Sequence, residues 1–248
     1  FFERQRRTVK VLVLGHKGML GNAVHKYLLN NSVEVKTTDL RWPSLEFKRF
    51  TQQCNCNFIV NCIGSIPQRK NNFDINHDLP IWLETETISK IIHPGTDCEI
   101  DSDDYGLSKR RAFEFIESRG NKTKIIKTSI IGHEIESKAS LLEWFLSQSG
   151  SVDGYVNHLW NGNTTLEWSK YCFKMMFNWE NFEKINILSS PIVSKYDLLK
   201  TISEVYGDTA RVKPHVHQDK VDYKCLSGKV NLPHIKQQLH ELKNFYCK

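Results

Sequence analysis

From Val9 to about residue 130, short aliphatic and β-branched runs alternate with stretches whose apolar positions recur at helical spacing. That alternation predicts a parallel sheet with helices on both faces. The expected strands are Val9–Leu14, Val33–Thr38, Phe58–Cys62, Lys90–His93 and Lys124–Ile130. The expected helices are Met19–Leu29, stopped by Asn30-Asn31, then Leu45–Gln53, Ile75–Thr85 and Tyr105–Ser118. Pro80 marks a kink or an offset start in the third helix, because proline lacks the N–H that the helical ladder uses.

Past residue 133 the pattern changes. A helix is expected over Ser140–Gln148, then an aromatic-rich segment Gly150–Gly162, a helix Thr165–Phe177 and a strand Ile185–Leu188. Lys195–Tyr206 reads as a helix, Arg211–Val216 as a short strand and Leu232–Phe245 as a terminal helix. The division expected is a nucleotide-binding domain over 8–150 and a smaller mixed lobe over 151–248, with the strand at 185–188 able to return to the main sheet. The ligand crevice is expected at the carboxyl ends of the strands.

Composition narrows the function classes. With 248 residues, 40% hydrophobic and 25% charged, the chain suits a soluble protein of one medium domain or one domain with a small second lobe. No apolar run approaches the roughly 18 residues of a membrane span. The net charge of +6 is spread along the chain and partly concentrated in Phe1–Arg7, which is set aside from the fold. No nucleic-acid module accompanies it, so a solvated basic surface is expected, one that also suits an anionic ligand. Seven cysteines, odd in number and scattered, suit reduced thiols in the cytoplasm; Cys54 and Cys56 are too close for a C-x-x-C site. The histidines lack metal-ligand spacing, and the acidic Asp101, Asp103 and Asp104 suit a helix N-terminus; no metal is expected.

The first motif is the turn Gly15-His16-Lys17-Gly18-Met19-Leu20-Gly21 between the first strand and helix. Glycines there let a dinucleotide pyrophosphate approach backbone amides at the positive end of a helix. Asp39, at the end of the second strand and eighteen residues after Gly21, is placed to bind an adenosine ribose, followed by Leu40 and Arg41. Lys17 and Arg41 favour a 2′-phosphate and Asp39 opposes one, so NADP is the expected cofactor with NAD as the alternative. Asn61-Cys62-Ile63-Gly64 leaves the third strand on the same edge and is read as backbone lining the adenine and ribose.

Tyr105 and Lys109 stand four apart and share one helix face. An ammonium near a phenol lowers its pKa, which makes an acid/base pair. Thr96, at the end of the fourth strand, is read as a turn cap or, beside that pair, as the group that orients a substrate carbonyl. Tyr105 would then deliver a proton to the carbonyl oxygen while Lys109 holds the nicotinamide ribose. Trp160 is the candidate to stack on a sugar or base, Trp168 is read as packing, Trp144 and Tyr155 as aromatics of the second lobe, and His215 and His217 as surface residues.

Together Gly15/Gly18/Gly21, Thr96-Asp97 and Tyr105-x-x-x-Lys109 resemble the extended short-chain dehydrogenase/reductases, within them the sugar-nucleotide reductases of the dTDP-4-dehydrorhamnose reductase type. Asn76-His77-Asp78-Leu79-Pro80 resembles the family's Asn-x-x-x-Pro helix. Lys127-Thr128-Ser129-Ile130-Ile131-Gly132 resembles the strand whose Ser129, Ile130 and Ile131 would receive the nicotinamide carboxamide. Asn157 to Gly162 with Thr164-Thr165 resembles a substrate-lobe signature, which makes Asn157 and Trp160 substrate-binding candidates alongside Thr96. The resemblance implies a Rossmann-type doubly wound α/β fold with a smaller substrate lobe and NADPH-dependent reduction of the 4-keto group of a nucleotide-diphospho-6-deoxysugar. A homodimer is compatible with it. Two alternatives stay open: a non-catalytic NAD(P)-binding regulatory or scaffold protein of the same fold, and a sugar-nucleotide epimerase. Gly95 stands where the family has Ser, and only Cys98–Asp104 separates Asp97 from Tyr105, shorter than the family pattern. The nicotinamide end is therefore expected to be open unless a partner chain or Gly150–Gly162 closes it.

Overall fold

The computed structural model describes residues 9–69, 72–207, 210–217 and 221–247. The expectation for Phe1–Arg7 lies outside them. The first strand, β1 (Lys10–Leu14), sets the architecture by its pleat. Val11 and Val13 face one side of the sheet and Leu12 and Leu14 the other, and all four are fully buried. A strand buried on both faces reads as continuously apolar rather than alternating.

The chain continues through α1 (Met19–Asn30), β2 (Glu34–Thr37), α2 (Leu45–Gln53), β3 (Phe58–Asn61), α3 (Ile75–Glu86), β4 (Lys90–Gly95), α4 (Asp104–Arg119) and β5 (Thr123–Lys127). There follow β6 (Ile130–Ile131), α5 (Leu141–Leu146), β7 (Ser151–Tyr155), β8 (His158–Trp160), β9 (Asn163–Thr164), α6 (Thr165–Phe177), β10 (Ile185–Ser189) and β11 (Val193–Ser194). The last elements are α7 (Lys195–Tyr206), β12 (Arg211–His215), β13 (Asp222–Lys224), β14 (Val230–Asn231) and α8 (Ile235–Tyr246).

Seven strands form one parallel sheet in the order β14-β10-β5-β4-β3-β1-β2. The fold is thus the expected doubly wound α/β sheet. One core joins Val11, Val13, Val24, Leu28 and Val60 to Trp168 and Met175 of α6; the opposite face packs Leu12, Leu14 and Ile59 on Phe47, Leu79 and Leu83. The third core, in the second lobe, gathers Phe145, Trp160, Leu198 and Leu239. Three small sheets complete the fold: β11-β8-β13, β12-β7 and β6-β9.

One expectation needs correction. The strand Lys124–Ile130 stops at Lys127, because Ser129 O accepts the Asn163 amide (2.8 Å) and Ile130–Ile131 pair with β9 of the second lobe. The helix α3 runs through Pro80 to Glu86, one residue past the expected end. The strand expected at 185–188 returns to the main sheet as β10, with β14 beside it at the edge, and α6 packs on α1.

Candidate active site

β2 and β3 flank β1 on opposite sides, so the chain reverses its winding direction there, and the crevice beyond the strand ends opens at that point. Gly15 leaves β1 with φ +74°, a conformation in which a side chain would be strained. A Cβ on Gly21 would meet Gly15 O at 2.1 Å, so helix and strand approach only because both residues are glycine. Gly18 differs: its Cβ would meet nothing nearer than Gly15 O at 3.4 Å. It caps α1 with no side-chain hydrogen bond and no acid in the first turn, which leaves the positive helix end facing the crevice.

A cavity of about 470 Å³ begins there, lined by Gly18, Met19 and Leu20. Its floor is the strand-end segments Cys62–Gln68 and Thr128–Ile131, and its far wall carries Thr96, Tyr105 and Lys109. The i,i+4 spacing on α4 thus turns Tyr105 and Lys109 into one cavity with Thr96 from β4. Asp103 starts α4 by accepting the Gly106 amide at 2.7 Å, the role expected of the acidic stretch.

Lys109 is buried, and among the described residues it has no hydrogen-bonded or ion-paired partner. Its ammonium lies 3.6 Å from the position a Cβ would take on Gly64. Burial lowers its pKa, while Glu99, Cys62 and Cys98 oppose that shift. Beneath it, Asn61 Oδ1 accepts the Ile63 amide (3.1 Å), which turns Asn61 Nδ2 toward His93 Nδ1 at 3.2 Å. Donation to Nδ1 leaves the His93 proton on Nε2, and burial, then Lys109, keeps this ring neutral by lowering its pKa well below 6.5.

The expectation that Lys109 lowers the Tyr105 pKa is not met in this state. Burial pushes the phenol up, with Cys98, Asp97 and Glu99 adding to the shift and the Thr96 hydroxyl opposing it. Tyr105 is held as a protonated phenol, in a T-shaped contact with Phe73 whose ring centroids lie 5.8 Å apart.

Thr96 is both the cap and the cavity group that the sequence left open. Its Oγ1 accepts the Cys98 amide (3.2 Å) and donates to Asp97 Oδ1 (3.0 Å). Its own amide donates to Glu99 Oε1 at 3.0 Å, closing a capping box around the turn Asp97–Ile100. Glu99 also pairs with Lys127 at 2.5 Å, both side chains being largely buried.

The second lobe forms the outer wall through Glu134, Ser140, Leu141, Trp160 and Lys195. The short segment before Tyr105 is tied to the same lobe, since Asp101 pairs with Lys224 of β13 at 2.5 and 2.7 Å. Trp160, from the Gly150–Gly162 segment, lines this cavity together with Lys195. Trp168 packs in the core and donates to Ile126 O (3.4 Å), as expected.

Several predicted residues lie outside the cavity lining: Gly15, His16, Lys17, Gly21, Asp39, Leu40, Arg41, Asn61 and Asn157. Asp39 is exposed at the end of β2, where Lys17 pairs with it at 2.8 Å and His16 at 3.9 Å. The hydrogen bond from Lys17, and then its charge, lower the Asp39 pKa against desolvation. Lys17 is thus engaged with the carboxylate it was expected to counter. Asn157 spends its amide on the His217 backbone, donating to O at 2.8 Å and accepting from N at 3.1 Å.

Sequence reasoning missed Glu99, Ser65 and Lys195. Glu99 carried a signal, since a Thr three residues before a Glu is the capping-box pattern. Ser65 reaches the cavity with a buried hydroxyl that has no partner among the described residues. Lys195 carried none, as only the pairing of β8 with β11 brings it beside Trp160. Among the described residues, no group of His, Cys, Asp and Glu is arranged to hold a metal ion, and no helix is long and apolar enough to cross a membrane.

Solved structures with this fold include the dTDP-4-dehydrorhamnose reductase of Clostridium acetobutylicum, 18% identical over 97% of this chain and 100% of that one, with a TM-score of 0.80. The Bacillus anthracis enzyme of that name, solved in complex with NADP, is 13% identical over 96% of this chain and 99% of its own, with a TM-score of 0.81. The UDP-glucose 4-epimerase of Thermotoga maritima, solved with UDP-glucose, is 12% identical over 96% and 99% of the two chains, with a TM-score of 0.69. The resemblance drawn from the motifs is met at the level of the fold. No protein-family model matches the chain, and no curated protein matches it by sequence.

Proposed function

We propose that this protein is an NADPH-dependent reductase of the 4-keto group of a nucleotide-diphospho-6-deoxysugar, with NAD(H) as the alternative cofactor. The observation that carries the reading is the convergence of Thr96, Tyr105 and Lys109 on one cavity that begins at the uncapped N-terminus of α1. The residues present fit a dinucleotide. The α1 amides suit its pyrophosphate, the partnerless Lys109 ammonium suits ribose hydroxyls, and the orphaned Ser65 hydroxyl is a further polar group within reach of a ligand. The NADP complex of the B. anthracis reductase supports the same choice of cofactor.

The bound cofactor would supply a hydride to the substrate carbonyl. Tyr105, kept protonated by burial, donates its proton to the carbonyl oxygen as negative charge develops there. Thr96 orients that oxygen by turning its hydroxyl from Asp97 toward the substrate. Lys109, a buried ammonium without a hydrogen-bonded or ion-paired partner among the described residues, holds the ribose. Trp160 and the outer wall line the same cavity as the reacting groups and reduce their contact with water. Seven unpaired cysteines support a reducing, cytoplasmic setting.

The test is NADPH oxidation with a panel of nucleotide-linked 4-keto-6-deoxysugars. Tyr105→Phe should lower kcat by roughly 10²- to 10⁴-fold while NADPH still binds. Wild-type protein that binds NADPH but reduces none of the panel would sink the reductase reading, and a tightly copurified NAD would favour an epimerase.

A further inference from the structure

Lys195 is the first residue of α7, fixed there because Ser194 caps the helix by accepting the Asp197 amide at 3.0 Å. Its ammonium lies over the Trp160 indole, 5.4 Å from the ring centroid, and both residues line the cavity. Among the described residues it has no hydrogen-bonded or ion-paired partner. The carboxylates that act on it through space are committed elsewhere: Asp97 accepts the Thr96 hydroxyl at 3.0 Å, and Asp222 lies 3.7 Å from His158. Lys224, a further cation of this lobe, is held by Asp101. Lys195 is half-buried and its ammonium has three donors, so the cavity offers a ligand acceptor a cation that no acceptor side chain among the described residues has engaged.

We infer that Lys195, seated on Trp160 beside Asp97, recognises the sugar ring of the substrate by donating hydrogen bonds to its hydroxyls. The inference rests on the reading of the cavity as a nucleotide-sugar site and names the part of the substrate that sits at this end. Charge decides between hydroxyl and phosphate. A phosphate here would gain one cation but face two carboxylates, Asp97 and Asp222. A neutral hydroxylated ring meets no such repulsion; it accepts from Lys195 and donates to Asp97, while the buried Trp160 indole holds the ammonium in place from behind.

Calorimetry with unreactive ligands tests this. UDP-glucose and UDP, and in parallel dTDP-glucose and dTDP, are titrated into NADPH-saturated wild-type protein and into Lys195→Met and Lys195→Arg. At least one sugar nucleotide should bind wild type more tightly than its bare diphosphate. Lys195→Met should weaken that sugar nucleotide by roughly ten- to a hundredfold and the bare diphosphate by less than about twofold. Lys195→Arg should recover part of the loss. Equal weakening of both ligands would make Lys195 a phosphate contact and overturn the inference, as would unchanged binding or a wild type that gains nothing from the sugar. Lys195→Gln is the second variant if Lys195→Met lacks a native melt. No turnover enters the comparison, so an inactive protein with the expected pattern would still support Lys195, and an active one without it would refute this inference alone.

Discussion

The Glu99 carboxylate stands against the open side of Gly95: a Cβ there would come within 3.1 Å of Glu99 Oε1 and 2.9 Å of Ile125 Cγ2. Gly95 is therefore matched by the acid four residues later. With no side chain in the way, Glu99 reaches back to the Thr96 amide and across to Lys127, and so fixes the turn that presents Thr96 to the cavity. Glu99→Gln keeps an acceptor for Thr96 but leaves the Lys127 ammonium buried without its counter-charge. Loss of one partner of such a pair costs about 3–5 kcal/mol, and replacing both by apolar groups costs far less. Urea melts should find Glu99→Gln strongly destabilised and Glu99→Gln/Lys127→Met closer to wild type. A double variant no better than the single one would remove the ion pair from the explanation.

The glycine turn separates a binding role from a packing role. Gly18→Ala meets only Gly15 O at 3.4 Å, so the variant should melt near wild type while its methyl group crowds an anion at the α1 amides and weakens NADPH binding. Gly21→Ala drives a Cβ to 2.1 Å from Gly15 O and should lose stability outright. Unchanged NADPH affinity in a folded Gly18→Val protein would refute a cofactor at this turn.

Much of this was legible because it is local. The β1 run, the glycine turn and the Tyr105–Lys109 spacing each encode their geometry within a few residues, where the helical and strand periods act. The partners of those groups are distant in sequence: Lys127 for Glu99, Asn163 for Ser129, Trp160 for Lys195. The strands β8 and β13, three residues each, are too short to show a period, yet their pairing builds the outer wall. The helix expected over 75–85 is found as α3, which runs through Pro80 with Leu79 and Leu83 anchored in the core.

Cofactor preference should respond to the Lys17–Asp39 pair. Asp39 is exposed and holds Lys17 at 2.8 Å, so removing its charge frees a cation and ends the repulsion of a 2′-phosphate. Asp39→Asn should therefore raise NADPH affinity relative to NADH, and Lys17→Ala should lower it. Both ratios can be read by fluorescence titration of the reduced cofactors, and an Asp39→Asn protein that gains affinity for NADH instead would assign Asp39 no part in excluding the phosphate.

His93 makes acid stability a test of the buried floor beneath Lys109. Its folded-state pKa lies well below the ordinary 6.5, through burial first and Lys109 second. Above about pH 6.5 the ring is neutral in both folded and unfolded chains and contributes no pH dependence. Below that, the unfolded chain takes up a proton that the folded chain refuses, so stability falls with falling pH, by at most about 1.4 kcal/mol per pH unit for this one group, until the folded pKa is reached. His93→Gln keeps an acceptor for Asn61 and has nothing to titrate. Melts of the two proteins from pH 7.5 to 5 should therefore converge on acidification, the wild type losing more. Parallel curves would mean that His93 takes up its proton in the folded state at its ordinary pKa, and that Lys109 does not lie over a neutral ring.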